Sequence, residues 1–205
     1  MFNLMSNYKR LFQQALLAVS LAIGSAAAVA GPTYQVTVDT SSQAGTTGLL
    51  DFWFMSGFAG AAGATATFSD FSGAFGAEYD RFGAVSGAIP GTVAISNTDG
   101  ENYLTQVVAL GGKFGFAVTF DGAFETMEDF TPSLLSIGLF NADMSELLGL
   151  VAEFTVVPSA DGMPGSVSVV AGDIGNVSEV PEPSDLLLIL TAIAMAGIAR
   201  RRQVR

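Results

Sequence analysis

Side chains alternate in character with a period of two through the interior of this chain, a period that suits strands far better than helices. In Thr33–Asp39, Tyr34, Val36 and Val38 fall on one face and Thr33, Gln35 and Thr37 on the other. That is the signature of a strand with one side buried. Leu50, Phe52 and Phe54 repeat it, with Trp53 and Asp51 sharing the opposite face, and similar runs stand at 64–71, 92–96, 114–120, 134–140, 153–157 and 166–170. Residues 102–110 fit either a strand or a helix. Asp99-Gly100, Asp121-Gly122 and Asp161-Gly162 supply the positive φ that tight turns need, and Asn141-Ala142-Asp143 lies between two apolar runs as a hairpin loop would. Eight or more short strands punctuated in this way predict an all-β body, an antiparallel β-sandwich or jelly-roll-like domain.

The chain has no cysteine and no histidine. Without disulfides, the body has to hold together by a packed core. Without histidine or thiolate, the commonest general base and the commonest transition-metal ligands are missing, which argues against zinc, haem and triad chemistry. Charge is placed in blocks. Six of the eight basic residues are terminal: Lys9, Arg10, Arg200, Arg201, Arg202 and Arg205. From Gly31 to Val180, 17 carboxylates face only Arg81 and Lys113, a balance of −15. Nucleic acid is a poor partner for such a surface, because phosphate binding wants clustered Lys and Arg.

The ends carry a different pattern. Lys9 and Arg10 precede an apolar run over 11–23, and Ala28, Val29 and Ala30 place small residues where a signal peptidase cuts. Residues 1–30 therefore read as a signal peptide with Gly31 as the first mature residue. An uncleaved anchor is the other reading, and Gln13 and Gln14 interrupt the run against it. At the far end, Pro181, Glu182, Pro183 and Ser184 precede an apolar stretch over 186–199 that stops at Arg200, Arg201 and Arg202. The prolines keep helix from spreading back into the body, and Ser184 is suited to cap a helix that starts after them. The fourteen residues of this stretch make about 21 Å of helix, short of a hydrocarbon core about 30 Å thick. The arginines should stay on the cytoplasmic side and place the body outside.

A Pro-Glu-Pro box, a short hydrophobic segment and a terminal arginine cluster, on a chain that opens with a signal peptide, resemble the PEP-CTERM sorting signal. A plain tail anchor is the competing reading. The resemblance implies a Gram-negative host that makes extracellular polysaccharide. It also implies a membrane-embedded exosortase that cuts near the box, with Pro181, Glu182 and Pro183 as its motif and Arg200 to Arg202 as the basic stop. The stretches 34–41, 48–54 and 116–120 resemble strands of a group of PEP-CTERM proteins with β-rich bodies, a likeness that carries fold and no chemistry. The expected organisation is a signal peptide at 1–30, a sandwich domain at 31–171, a linker at 172–180 and a sorting signal at 181–205 with a transmembrane helix at 186–199. The expected partners are signal peptidase, exosortase, the inner membrane before processing, and exopolysaccharide. The mature form is expected at the cell surface or outside the cell.

Site candidates within the body are fewer. Asp121, Glu125, Glu128 and Asp129 cluster in sequence after a strand and offer oxygen ligands for calcium, the only cofactor suggested; a solvated acidic loop is the alternative. Glu78 and Asp80 beside Arg81 read as a surface ion pair. Trp53, Tyr79 and Tyr103 are aromatics that, if exposed, would stack on sugar rings, although Trp53 reads first as a packing residue. The tract 57–63 is a small-residue loop without the ordered spacing and lysine of a phosphate loop. The sequence therefore predicts a noncatalytic, exported surface protein, with a carbohydrate-binding module as the second reading. A glycosidase using two of the 17 carboxylates is the third.

Overall fold

The computed structural model describes residues 31–57, 61–98 and 100–181. The signal segment, Glu182 to Ser184, the apolar stretch 186–199 and the arginine stop lie outside them. Gly31–Val180 forms one compact unit of twelve strands. They are β1 (Thr33–Asp39), β2 (Thr47–Ser56), β3 (Ala64–Ser72), β4 (Phe75–Phe82), β5 (Val85–Gly87) and β6 (Val93–Ser96), followed by β7 (Glu101–Ala109), β8 (Lys113–Gly122), β9 (Ser133–Asn141), β10 (Leu147–Val157), β11 (Ser166–Ala171) and β12 (Gly175–Val180).

These strands make two antiparallel sheets of six. Sheet A runs β12-β1-β8-β3-β6-β5 and sheet B runs β11-β10-β9-β2-β7-β4. The chain crosses from one sheet to the other repeatedly, so the two layers are stitched together along their whole width, as in a sandwich. Among the described residues no helix is long and apolar enough to cross a membrane.

Phenylalanine fills the space between the layers. Phe52 of sheet B meets Phe68 and Phe116 of sheet A at ring-centroid distances of 4.8 and 5.3 Å, edge to face. Phe120 packs on Phe54 and Phe154 at 6.5 and 5.3 Å. All six rings are fully buried. Each such side chain contributes about 1.5–3 kcal/mol through burial, and the edge contacts add to it. One buried polar knot crosses the core at the end where β3 and β9 begin. The Asn97 Oδ1 accepts the Ala64 N–H at 2.8 Å, and its Nδ2 donates to the Ala62 carbonyl and to the Ser133 hydroxyl.

Two expectations change. Residues 102–109 resolve as strand, within β7, and Leu110 follows its end. The segment 172–180 is not a free linker, because Gly175–Val180 is β12, paired with β1 from Thr33↔Val180 to Val38↔Gly175. Its glycines serve a close crossing between the sheets. A side chain on Gly172 or Gly175 would begin 1.9 or 2.0 Å from the carbonyl oxygen of Leu150 or Val151. The Asp173 carboxylate fixes the same crossing by accepting the Leu150 N–H at 2.7 Å. Ordered pairing therefore continues to Val180, directly before Pro181.

Candidate functional site

The outer face of sheet B carries a row of aromatic residues bordered by carboxylates. Leu50, Phe52 and Phe54 point into the core, so Asp51, Trp53 and Met55 of β2 point out. In β7, Leu104 and Val108 are buried, and Tyr103 and Thr105 take the outer face. Register then sets one residue from each strand side by side. Trp53 pairs with Tyr103 and with Ser136, Tyr103 with Phe82, and Ser136 with Glu153. Three aromatic residues thus occupy adjacent positions on β2, β7 and β4, a step of about 4.8 Å each.

All three residues are at least partly open to solvent. Trp53 is 38% exposed and Phe82 56%. The Phe82 and Tyr103 rings are stacked, with centroids 5.8 Å apart and planes 21° from parallel. Carboxylates border them. Tyr103 donates its hydroxyl to Asp80 Oδ2 at 3.1 Å, and Thr105 donates to Asp51 Oδ1 at 2.6 Å. Burial raises the Asp51 pKa above the ordinary aspartate value, the Thr105 hydrogen bond pulls the other way, and the nearby charges of Asp80 and Glu101 add to the rise. The hydrogen bond to Asp80 likewise raises the Tyr103 phenol. Partly exposed rings beside carboxylate acceptors offer apolar contact and hydrogen bonds to a ligand that needs both.

Sequence reading placed these residues only in part. Tyr103 and Tyr79 are exposed or half-exposed, as sugar-stacking residues would have to be. Trp53 lies, as the alternation places it, on the face opposite Leu50, Phe52 and Phe54, and is 38% exposed rather than packed away. Phe82 was missed. Its place beside Tyr103 depends on two register shifts in β4, between Phe75 and Glu78 and between Glu78 and Asp80. No local pattern in the sequence announces them.

Of the remaining candidates, Arg81, Glu78 and Asp129 make side-chain bonds that tie the fold together. Arg81 pairs with Glu78, and its guanidinium also donates to the Gly87 carbonyl at 3.0 Å, joining edge strands β4 and β5 of the two sheets. The Asp129 carboxylate accepts N–H groups from Ala62, Phe130 and Thr131, which hold its pKa below the ordinary value. Glu125 belongs to a one-turn 3-10 helix, Ala123–Glu125, Glu128 bridges to Ser159, and Asp121 pairs with Thr65. Among the described residues no three acidic side chains come together as a metal site would need. An open groove of about 690 Å³ lies at the opposite end, by Gln43, Leu110 and Asn141. The Asn141 side chain there is engaged by Ser145 and Glu146.

No family model, no curated protein and no solved structure matches this chain; its function has to be argued from its own residues.

Proposed function

We propose that this chain is an exported precursor, tethered in the inner membrane and cut by an exosortase near Pro181 to Pro183, whose β-rich body holds extracellular polysaccharide without catalysing a reaction. The observation that carries the glycan part is the row Phe82, Tyr103 and Trp53 on the outer face of sheet B. Phe82 is 56% and Trp53 38% exposed, so the row keeps apolar ring surface within reach of a ligand while its cross-strand pairing also favours the sheet. The −15 balance of the body favours neutral or cationic polymers over acidic ones. The export part rests on the two terminal patterns, the signal segment before Gly31 and the box, apolar stretch and arginine stop after Val180.

A carbohydrate-binding module is the close second reading, and the same row favours it. The two differ in specificity. A matrix component should tolerate related polymers, whereas a module should select one. A glycan array probed with the full-length chain and with Trp53→Ala separates them: loss of binding in the variant supports the platform, and a flat response across all polymers removes it. The export reading has its own test, mass spectrometry of both ends of the protein recovered outside the cell. A start at Gly31 and loss of residues 186–205 are expected. An intact tail, in a strain with active exosortase, would overturn the processing step.

A further inference from the structure

The two ends of the sandwich differ in what they expose, and both chain termini leave from the same one. Thr33 at the start of β1 pairs with Val180 at the end of β12 and with Thr119 near the end of β8. Thirty residues precede Gly31 and 24 follow Pro181, each set containing an apolar run, and both are attached at this end. Here too lie the β8–β9 and β10–β11 connections, because Ser133 of β9 pairs with Val156 of β10 and Ser166 of β11 with Val157. These two loops carry the two most exposed large apolar residues among those described, Phe130 at 80% and Met163 at 68%, together with Met127 at 52%; the opposite end shows Leu147 at 52% and Met144 at 38%.

The loops are fixed in place. The Asp129 N–H donates to the Ser159 carbonyl at 3.1 Å, the Ser159 N–H to Phe124 at 2.8 Å, and the Gly165 N–H to Glu125 at 3.2 Å. Met163 closes a turn with Ala160, at Asp161 and Gly162, both with positive φ. Tethering the loops to one another holds Met127, Phe130 and Met163 out as a set. Aromatic and thioether side chains on rigid loops beside a chain exit suit the boundary between lipid headgroups and acyl chains. The acidic groups at this end, Glu101, Asp121, Glu125, Glu128, Asp129, Asp161 and Glu179, disfavour an anionic surface, so a zwitterionic one fits.

We infer that Phe130, Met163 and Met127 form a lipid-contacting foot of the body while it is still tethered. This rests on the export reading of the proposed function, and it explains why no linker is needed before Pro181. Tethering makes even a weak foot effective, because the attached chain ends keep its local concentration at the bilayer high.

The absence of native cysteine makes the test clean. Phe130→Cys, Met163→Cys and, at the other end, Met144→Cys would each be labelled with an environment-sensitive dye in the full-length chain reconstituted into phosphatidylcholine vesicles. Labels at 130 and 163 should shift to the blue and lose about threefold in emission to a lipid-borne nitroxide, while a label at 144 stays open to aqueous iodide. Equal iodide access at all three sites overturns the foot and leaves the export reading standing. Shielding at 130 from both quenchers would mean that protein covers the patch, which also overturns it. Failure of the chain to remain with the vesicles removes the tethered reading and the foot together.

Discussion

The two outer faces of this sandwich share a geometry and differ in chemistry. Across sheet A, register lines up Val180, Thr33, Thr119, Thr67, Ala94 and Ser86. Across sheet B the corresponding row is Val170, Glu153, Ser136, Trp53, Tyr103 and Phe82. The first is what a stable, soluble strand surface calls for. Threonine favours strands, and Thr33 and Thr119 hydrogen-bond each other at 2.8 Å. The second keeps large rings in water and sets Asp51 near two like charges. Aromatic residues also favour strands and pair across them, so what separates the two faces is the ring surface and charge that sheet B leaves toward solvent.

Substitutions can sharpen or break this contrast. The largest effect should come from the core that both faces share. Phe116 touches Phe52, Phe68 and Phe71, and Phe116→Ala should cost about 3–5 kcal/mol in urea unfolding. Glycan binding by the fraction that remains folded should be unchanged. Stranding the partners of Asn97 comes next. Asn97→Leu leaves the Ala64 N–H, the Ala62 carbonyl and the Ser133 hydroxyl without their bonds, at roughly 1–3 kcal/mol for a stranded buried group.

On the sheet B face, Tyr103→Ala removes the middle ring of the row and should weaken glycan binding about tenfold, with stability changed by less than about 1 kcal/mol. A larger loss of stability than of binding would mean that the row is structural. Asp51→Asn keeps an acceptor for Thr105 and removes the charge. Because the folded-state pKa of Asp51 is raised, its contribution to stability is full below the unfolded value and is lost as pH rises through the folded one. The variant should therefore be slightly more stable than the parent at neutral pH, by under about 1 kcal/mol, and no different in acid; denaturation midpoints at pH 3 and pH 7 check this. The smallest effect belongs to sheet A, where Thr119→Val should stay within about 0.5 kcal/mol and leave binding untouched.

Much of the sheet layout was legible because burial writes itself as alternation. Residues 33–39 were read to the residue, and Leu50, Phe52 and Phe54 marked the inner face of β2. Strands with little buried surface were lost. β4 is exposed along most of its length and broken by two register shifts, β5 has three residues, and β12 offers only Val177 to the core. The glycines of 172–175 resembled a linker because sequence shows their flexibility and hides the Leu150 and Val151 backbone they press against. The site was half legible for a related reason. Alternation sets Trp53 opposite Leu50, Phe52 and Phe54, but that Phe82 falls beside Tyr103 depends on the shifted register of β4 against β7.

Trp53 is the chain's one tryptophan, so its emission reports on the row and nothing else. Titrating the full-length chain with the polymer it binds best on the array should give a saturable shift of that emission, with a midpoint that matches the binding curve and moves in Tyr103→Ala. Saturable glycan binding with Trp53 emission unchanged would place the sugar elsewhere and contradict the account.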